Sequence, residues 1–334
     1  MKPAVVAGVL AALVAGILAV STGDQTGPAP FVVDGVISGA VYGLVAIGLV
    51  LVYKGARVFN FAQGEFGTIA AYVAYVAINN FDQSYLVALP AALLVVLALG
   101  LVMERVIVRP LMNQPRVTLL VATIAVTLLL IGLEILIFRI EPLFLEPVVS
   151  LTGEGGGVSG IKLFDFIVDP MRIAMMGVLA VLAGALAYFF SRTDLGLAVL
   201  ATSQDSFATR VVGIPVQRVS RFIWGAAAML GAIAGILYVP PIAGQLVPAV
   251  MTSNVLIPAF TAAVIGGMTS LPGAFLGGVV VGLVQKLSSW AATTYYLGEV
   301  PIQQTVPGAE QIAVFAALLL ILLIRPQGLL GKEA

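Results

Sequence analysis

Apolar residues along this chain gather in long unbroken stretches separated by short polar ones, and a stretch of about 20 is what one helix needs to cross a bilayer. Such runs cover Pro3 to Val20, Phe31 to Tyr53, Gly64 to Ile78, Tyr85 to Met103, Val117 to Phe138 and Ile173 to Phe190, each bounded by charge, proline or amide clusters. The first lies behind Lys2 and ends at Ala19-Val20-Ser21, which resembles a signal-peptidase site. Its length favours a retained span over a cleaved signal. From Phe222 to Gln285, 64 residues carry no charge, so breaks there are read from other punctuation. Pro240-Pro241, Gly244-Gln245, Pro248 and Thr252-Ser253-Asn254 form one break, and Thr269-Ser270-Leu271-Pro272-Gly273 forms another. Spans are expected near 222–239, 254–268 and 273–290, followed by Gln311 to Ile324. The expectation is an all-α polytopic membrane protein of about ten transmembrane helices, a single transmembrane domain over 1–334.

Charge orients these spans. With the N-terminus in the cytoplasm, Lys2, Lys54, Arg57, Arg105, Arg109, Arg116, Arg192, Arg210, Arg218, Arg221, Arg325 and Lys332 fall inside, 12 of the 16 basic residues. The outer loops hold Asp24, Asp82, Glu141, Glu146, Glu154, Asp165, Asp169 and Glu299 instead. That asymmetry is the positive-inside pattern. A re-entrant 254–268 would move Arg325 and Lys332 outside, so both termini are expected in the cytoplasm.

Composition then removes whole classes of chemistry. The chain is 60% apolar and 10% charged, against about 25% charge in a soluble domain. Its net charge is zero, which leaves no general attraction for nucleic acid. Without Cys or His it offers no disulfide, zinc or haem ligation and no His-based triad, so no metal or cofactor is expected. No G-x-x-x-x-G-K-[ST] occurs, so ATP-driven work belongs to another subunit.

Small residues recur every fourth position at Gly35, Gly39 and Gly43, at Gly231 and Gly235, at Gly273 and Gly277, and at Gly278 and Gly282. Such spacing lets helix backbones approach closely, either inside one subunit or against a second permease. Asn60-Phe61-Ala62-Gln63-Gly64-Glu65-Phe66 precedes a short apolar helix, where Asn60 can cap the helix or line a pathway and Glu65 complements the helix dipole. Amides, glycine and an acid at an interrupted helix suit the handling of a polar solute; an ordinary cap with an interfacial acid is the plainer alternative. Thr269 and Ser270 mark a second interruption, or a tight cytoplasmic turn. Glu134 and Lys286 are the ionisable residues set deepest in apolar runs, and they are expected either to pair inside the bundle or to snorkel separately. The loop 191–221 contains short helical stretches stopped by Gly213 and Pro215 that can dock a cytoplasmic partner or simply fix topology. The outer loop 140–170 is acidic and glycine-rich, a weakly signalled surface for an external protein.

At these residues the chain resembles the LivH-type permease subunits of branched-chain amino acid ABC importers. The resemblance covers about residues 32 to 331 and rests on Gly39-Ala40-Val41-Tyr42-Gly43-Leu44-Val45-Ala46-Ile47-Gly48-Leu49, on Asn60 to Glu65, on Gln204-Asp205 through Ala208 to Gly213-Ile214, and on Thr261 to Gly282. The ending Arg325-Pro326-Gln327-Gly328-Leu329-Leu330-Gly331 also fits. It implies a permease in the inner membrane that pairs with a LivM-type second permease, amid membrane lipid. Two cytoplasmic ATP-binding subunits would bind Ser203, Gln204, Asp205, Ala208, Arg210 and Gly213 as a coupling segment, and an extracytoplasmic solute-binding protein would deliver the solute. The solute is expected to pass near Asn60, Gln63, Gly64, Glu65, Thr269 and Ser270. Gln63 stands where the family often has His, and Lys286 where it often has an acid; sister systems carry urea, short amides or aromatic acids. A stand-alone secondary transporter, with Glu65 or Glu134 binding a coupling proton or sodium ion, is the alternative from a different class.

Overall fold

The computed structural model describes residues 28–112, 114–145, 161–163, 166–168, 170–204, 209, 211, 213–297 and 300–331. The expected first span, Pro3 to Val20, lies outside them. So does most of the expected outer loop. The described chain is mostly helical: α1 Ala29–Ala56, α2 Gln63–Tyr75, α3 Tyr85–Met103, α4 Arg116–Phe138, α5 Pro170–Arg192, α6 Asp194–Gln204, α7 Val216–Tyr238, α8 Ile257–Gly266, α9 Leu271–Thr294, α10 Ile302–Thr305 and α11 Ala309–Ile324. Two small hairpins accompany them, β1 Ile161–Leu163 with β2 Phe166–Val168, and β3 Tyr296–Leu297 with β4 Val300–Pro301.

Six helical stretches are long and apolar enough to cross a membrane: Ala29–Ala56, Tyr85–Leu111, Arg116–Phe138, Ala174–Arg192, Val216–Ala243 and Leu271–Thr294. Thr252–Gly266 and Ala309–Ile324 are apolar but shorter. The expected span at Gly64 to Ile78 becomes α2, which runs through a π-helical turn at Val76–Asn80 and ends at two asparagines. The expected span at 254–268 is a continuous helix over Thr252–Gly266, which opens with a π-helical turn at Thr252–Leu256 and runs on as α8. A π-turn misaligns the backbone ladder by one residue and recurs at functional sites.

The described residues fall into two compact units, one made of residues up to Gly43, those between 149 and 179, and those from Pro258 onward, the other of residues 44–148 and 180–257. In the first unit glycines set the packing. A β-carbon on Gly39 would lie 2.6 Å from the Gly278 carbonyl oxygen, so the start of α1 and α9 touch backbone to backbone. Gly35 meets Gly282 in the same way, and Gly43 meets Phe275. Gly273 and Gly277 instead approach Gly266 and Ala262 of α8. The two glycine pairs of α9 are five residues apart, about 140° around the helix, which is why one helix presents two close-packing faces. Tyr42 donates to Gln285 Oε1 at 2.7 Å across α1 and α9, and Arg172 pairs with Asp34. Beyond α11 the chain returns to the end of α8, where Leu329 N–H donates to the Ile265 carbonyl at 2.7 Å and Leu330 N–H to that of Gly266 at 3.1 Å. Gly267, at φ +100°, leaves room for this segment; a β-carbon there would lie 2.5 Å from the Gly331 nitrogen.

In the second unit α2 is packed among α3, α7, α4 and the turn at 252–256. Every residue from Gln63 to Thr68 is buried. Gly235 of α7 sits directly on the Gly67 backbone, and Gly100 of α3 admits Ala228 and Trp224. The buried face of α4 is Leu119, Thr123, Thr127, Leu130 and Glu134, at intervals of three and four. Its opposite face is apolar and bare, with Val117 70%, Leu128 65% and Leu136 77% exposed, which suits lipid tails. Polar groups turned inward and aliphatics turned outward are what a bilayer selects.

Candidate functional site

The start of α2 is built by a local amide network. Asn60 Oδ1 accepts the Ala62 N–H at 3.1 Å, an Asx turn that bends the chain into the helix, and Asn60 Nδ2 donates to Gln63 Oε1 at 3.4 Å. Gln63 Nε2 then crosses to α7 and donates to the Ala227 carbonyl at 2.8 Å. Gly48 of α1 makes space for this amide, since a β-carbon there would be 2.5 Å from Nε2. From the other side Thr123 of α4 accepts the Phe61 N–H at 3.4 Å and donates toward the Leu120 and Phe59 carbonyls. Asn60 and Gln63 are thus fully buried and held by protein partners on both amide ends.

Below them Glu65, Thr68 and Tyr72 share one face of α2, three and then four residues apart. Glu65 faces Glu134 of α4, Thr68 and Thr252. Glu134 Oε2 accepts the Ala249 N–H at 3.0 Å, and Thr68 Oγ1 accepts the Met251 N–H at 3.3 Å. The turn carrying those amides is unusual, because Ala249 has φ +61°. An L-residue there costs about 1–2 kcal/mol, so the surroundings impose it. The turn is anchored further by Leu246, which exchanges two hydrogen bonds with Leu143 beyond the end of α4. Tyr72 stacks on Phe138, ring centroids 4.0 Å apart. Glu65 is 0% and Glu134 4% exposed, and no well-formed hydrogen bond reaches Glu65 Oε1, Glu65 Oε2, Glu134 Oε1, the Thr252 hydroxyl or the Tyr72 hydroxyl.

The structure therefore brings Asn60, Gln63, Gly64 and Glu65 together with Glu134 in one unit. Thr269 and Ser270 belong to the other unit, where Ser270 Oγ accepts the Gly273 N–H at 3.1 Å and caps α9, while Thr269 is exposed. Lys286 also lies in that other unit, at a half-exposed position of α9. Glu134 meets Glu65 inside its own unit. The ion pairs found among the described residues are Arg109 with Glu104 and Arg172 with Asp34. Of the expected coupling residues, Asp205, Ala208 and Arg210 lie outside the described set, as does the side chain of Ser203. Gln204 ends α6 and is exposed; Gly213 is exposed at φ +84°, with open space around it. Sequence reasoning missed Thr68, Tyr72, Ala249 and the role of Thr252. The spacing of Glu65, Thr68 and Tyr72 was a visible signal, whereas the left-handed Ala249 had none.

Long apolar helices accompanied by a short interrupted helix with buried amides and acids define the class, a polytopic helical membrane protein with a polar interior. The family described as branched-chain amino acid transport system / permease component matches residues 31–324, and the chain belongs to it. Among similar proteins is the high-affinity branched-chain amino acid transport system permease protein LivH of Salmonella typhimurium, 30% identical, with 90% of this chain and 94% of that one covered. BraD of Pseudomonas aeruginosa, named as the same kind of permease, is 29% identical at the same coverage. A probable branched-chain amino acid transport permease protein LivH of Methanocaldococcus jannaschii is 27% identical over 87% of this chain and 88% of its own length.

Proposed function

We propose that this chain is the transmembrane permease subunit of an ATP-binding cassette importer for branched-chain, hydrophobic amino acids, resident in the inner (plasma) membrane. The observation that carries the proposal is the family match over residues 31–324, which takes in the six long apolar helices of the described residues but for the first two residues of α1. Ten passes with both ends in the cytoplasm agree with the distribution of basic residues. A second permease of the LivM type completes the pathway, an extracytoplasmic binding protein delivers the solute, and two cytoplasmic ATP-binding subunits supply the hydrolysis for which this chain has no P-loop. The chain itself is a transport component and not an enzyme.

Coupling enters through Ser203, Gln204, Asp205, Ala208, Arg210 and Gly213, and the exposure of Gln204 and Gly213 supports that placement. The solute passes near Asn60, Gln63, Gly64 and Glu65, and near Thr269 and Ser270. Because Asn60 and Gln63 are buried and occupied by protein partners, they hold the interrupted helix beside the path. Isolation of the tagged chain in mild detergent should bring down two P-loop ATPases and a second permease. Reconstituted with the binding protein, the complex should take up leucine only with ATP, and Gly213→Val should cut uptake about tenfold without loss of membrane insertion. Leucine moved by the chain alone down an ion gradient would hand the protein to the secondary transporters.

A further inference from the structure

Buried side-chain atoms without a hydrogen bond are rare and need a physical cause. Seven occur among the described residues, and five of them belong to one interacting group: both oxygens of Glu65, Oε1 of Glu134 and the hydroxyls of Thr252 and Tyr72. The members that α2, α4 and the 249–252 turn contribute are the two acids, the phenol, two threonine hydroxyls and the Ala249 N–H. Neither ion pair among the described residues involves them. Two ionised carboxylates here would be desolvated, adjacent and uncompensated, a strongly disfavoured arrangement. An ionised carboxylate is also an acceptor only, so two of them cannot hydrogen-bond to each other.

We propose that Glu65 and Glu134 form a proton-binding site and hold one proton between them. A single shared proton supplies the missing donor, turns the like-charge contact into a charge-assisted O–H···O bond, and leaves one negative charge for the surrounding donors. The Ala249 N–H already donates to Glu134, and the Thr252 and Thr68 hydroxyls stand beside Glu65. Space favours a proton over a metal ion. A β-carbon at Gly64 would lie 2.8 Å from Thr252 Cα, and Gly67 is closed off by Met251 and Gly231, so the turn is packed directly onto α2. The bound proton thus ties the start of α2, the far end of α4 and the strained Ala249 turn into one body. The site does not depend on which solute is carried.

Infrared spectroscopy of the purified full chain with its copurifying subunits, in sodium-free buffer near neutrality, tests this directly and needs no transport. The wild-type protein should show the carbonyl stretch of a buried, protonated carboxylic acid, shifted in D2O. Glu65→Gln and Glu134→Gln should each remove that band while leaving the melting temperature near wild type, because a glutamine amide donates in the proton's place. Glu104→Gln should leave the band intact. A band that survives both single replacements overturns the proposal. So does its absence from the wild type, and so does a melting temperature raised by sodium chloride but not by choline chloride, which would assign the oxygens to a metal cation.

Discussion

The two units reach close helix packing with different balances of backbone and side chain. Around α1 and α9 the contact is made by backbone against backbone, with Gly35, Gly39, Gly278 and Gly282 removing the side chains altogether. Around α2, Gly235 also meets the Gly67 backbone, but Gly48, Gly64 and Gly67 besides make room for the side chains of Gln63, Thr252 and Met251. In a bilayer no hydrophobic force drives helices together, so van der Waals fit must do so, and the first arrangement maximises it. The second gives some of that up to bury Asn60, Gln63, Thr68, Glu65 and Glu134 in an apolar setting. Such residues are expensive to insert, and they are where function is to be sought. One unit is therefore specified by shape and the other by hydrogen-bond complementarity.

The largest expected effect breaks the shape-based unit. Gly278→Leu places a branched side chain where the backbone of α1 already lies, at a cost of ~3 kcal/mol or more. Accumulation in the membrane, read by fluorescence-detected size exclusion of a tagged chain, should fall about tenfold; normal accumulation would mean that α1 and α9 separate readily. Next comes the polar unit. Gln63→Ala removes the donor to the Ala227 carbonyl and strands Asn60 in a buried site, worth ~1–3 kcal/mol. A lower melting temperature with largely preserved accumulation is expected, and an unchanged one would show that the amide network carries little stability. The smallest effect sharpens the comparison. Lys286→Gln should shift stability by less than ~0.5 kcal/mol, as a half-exposed surface change does. A loss as large as that of Gln63→Ala would support Lys286 as the partner of Glu134 over a separately snorkelling lysine.

Long apolar helices were legible from the sequence because hydropathy is summed over many residues. α4, expected over Val117 to Phe138, is found at Arg116–Phe138. The glycine repeats were legible as packing positions, though not the identity of their partners, which depends on how distant segments pair. The Asn60 to Glu65 stretch announced itself through its residue types. Its long-range bonds did not: Gln63 finds a carbonyl 164 residues away, and Glu134 finds an amide 115 residues away, both beyond any local pattern. The π-turns at 76–80 and 252–256 were not legible for a related reason. A one-residue slip in a helix leaves composition and hydropathy unchanged.

The segment Leu329-Leu330 that binds the carbonyls of Ile265 and Gly266 carries a consequence for biogenesis. The ribosome makes the α8–α9 turn first and its covering segment only after α9 and α11 have been translated. Until then two carbonyls and a left-handed glycine stand without their partners, so this turn is among the last parts of its unit to mature.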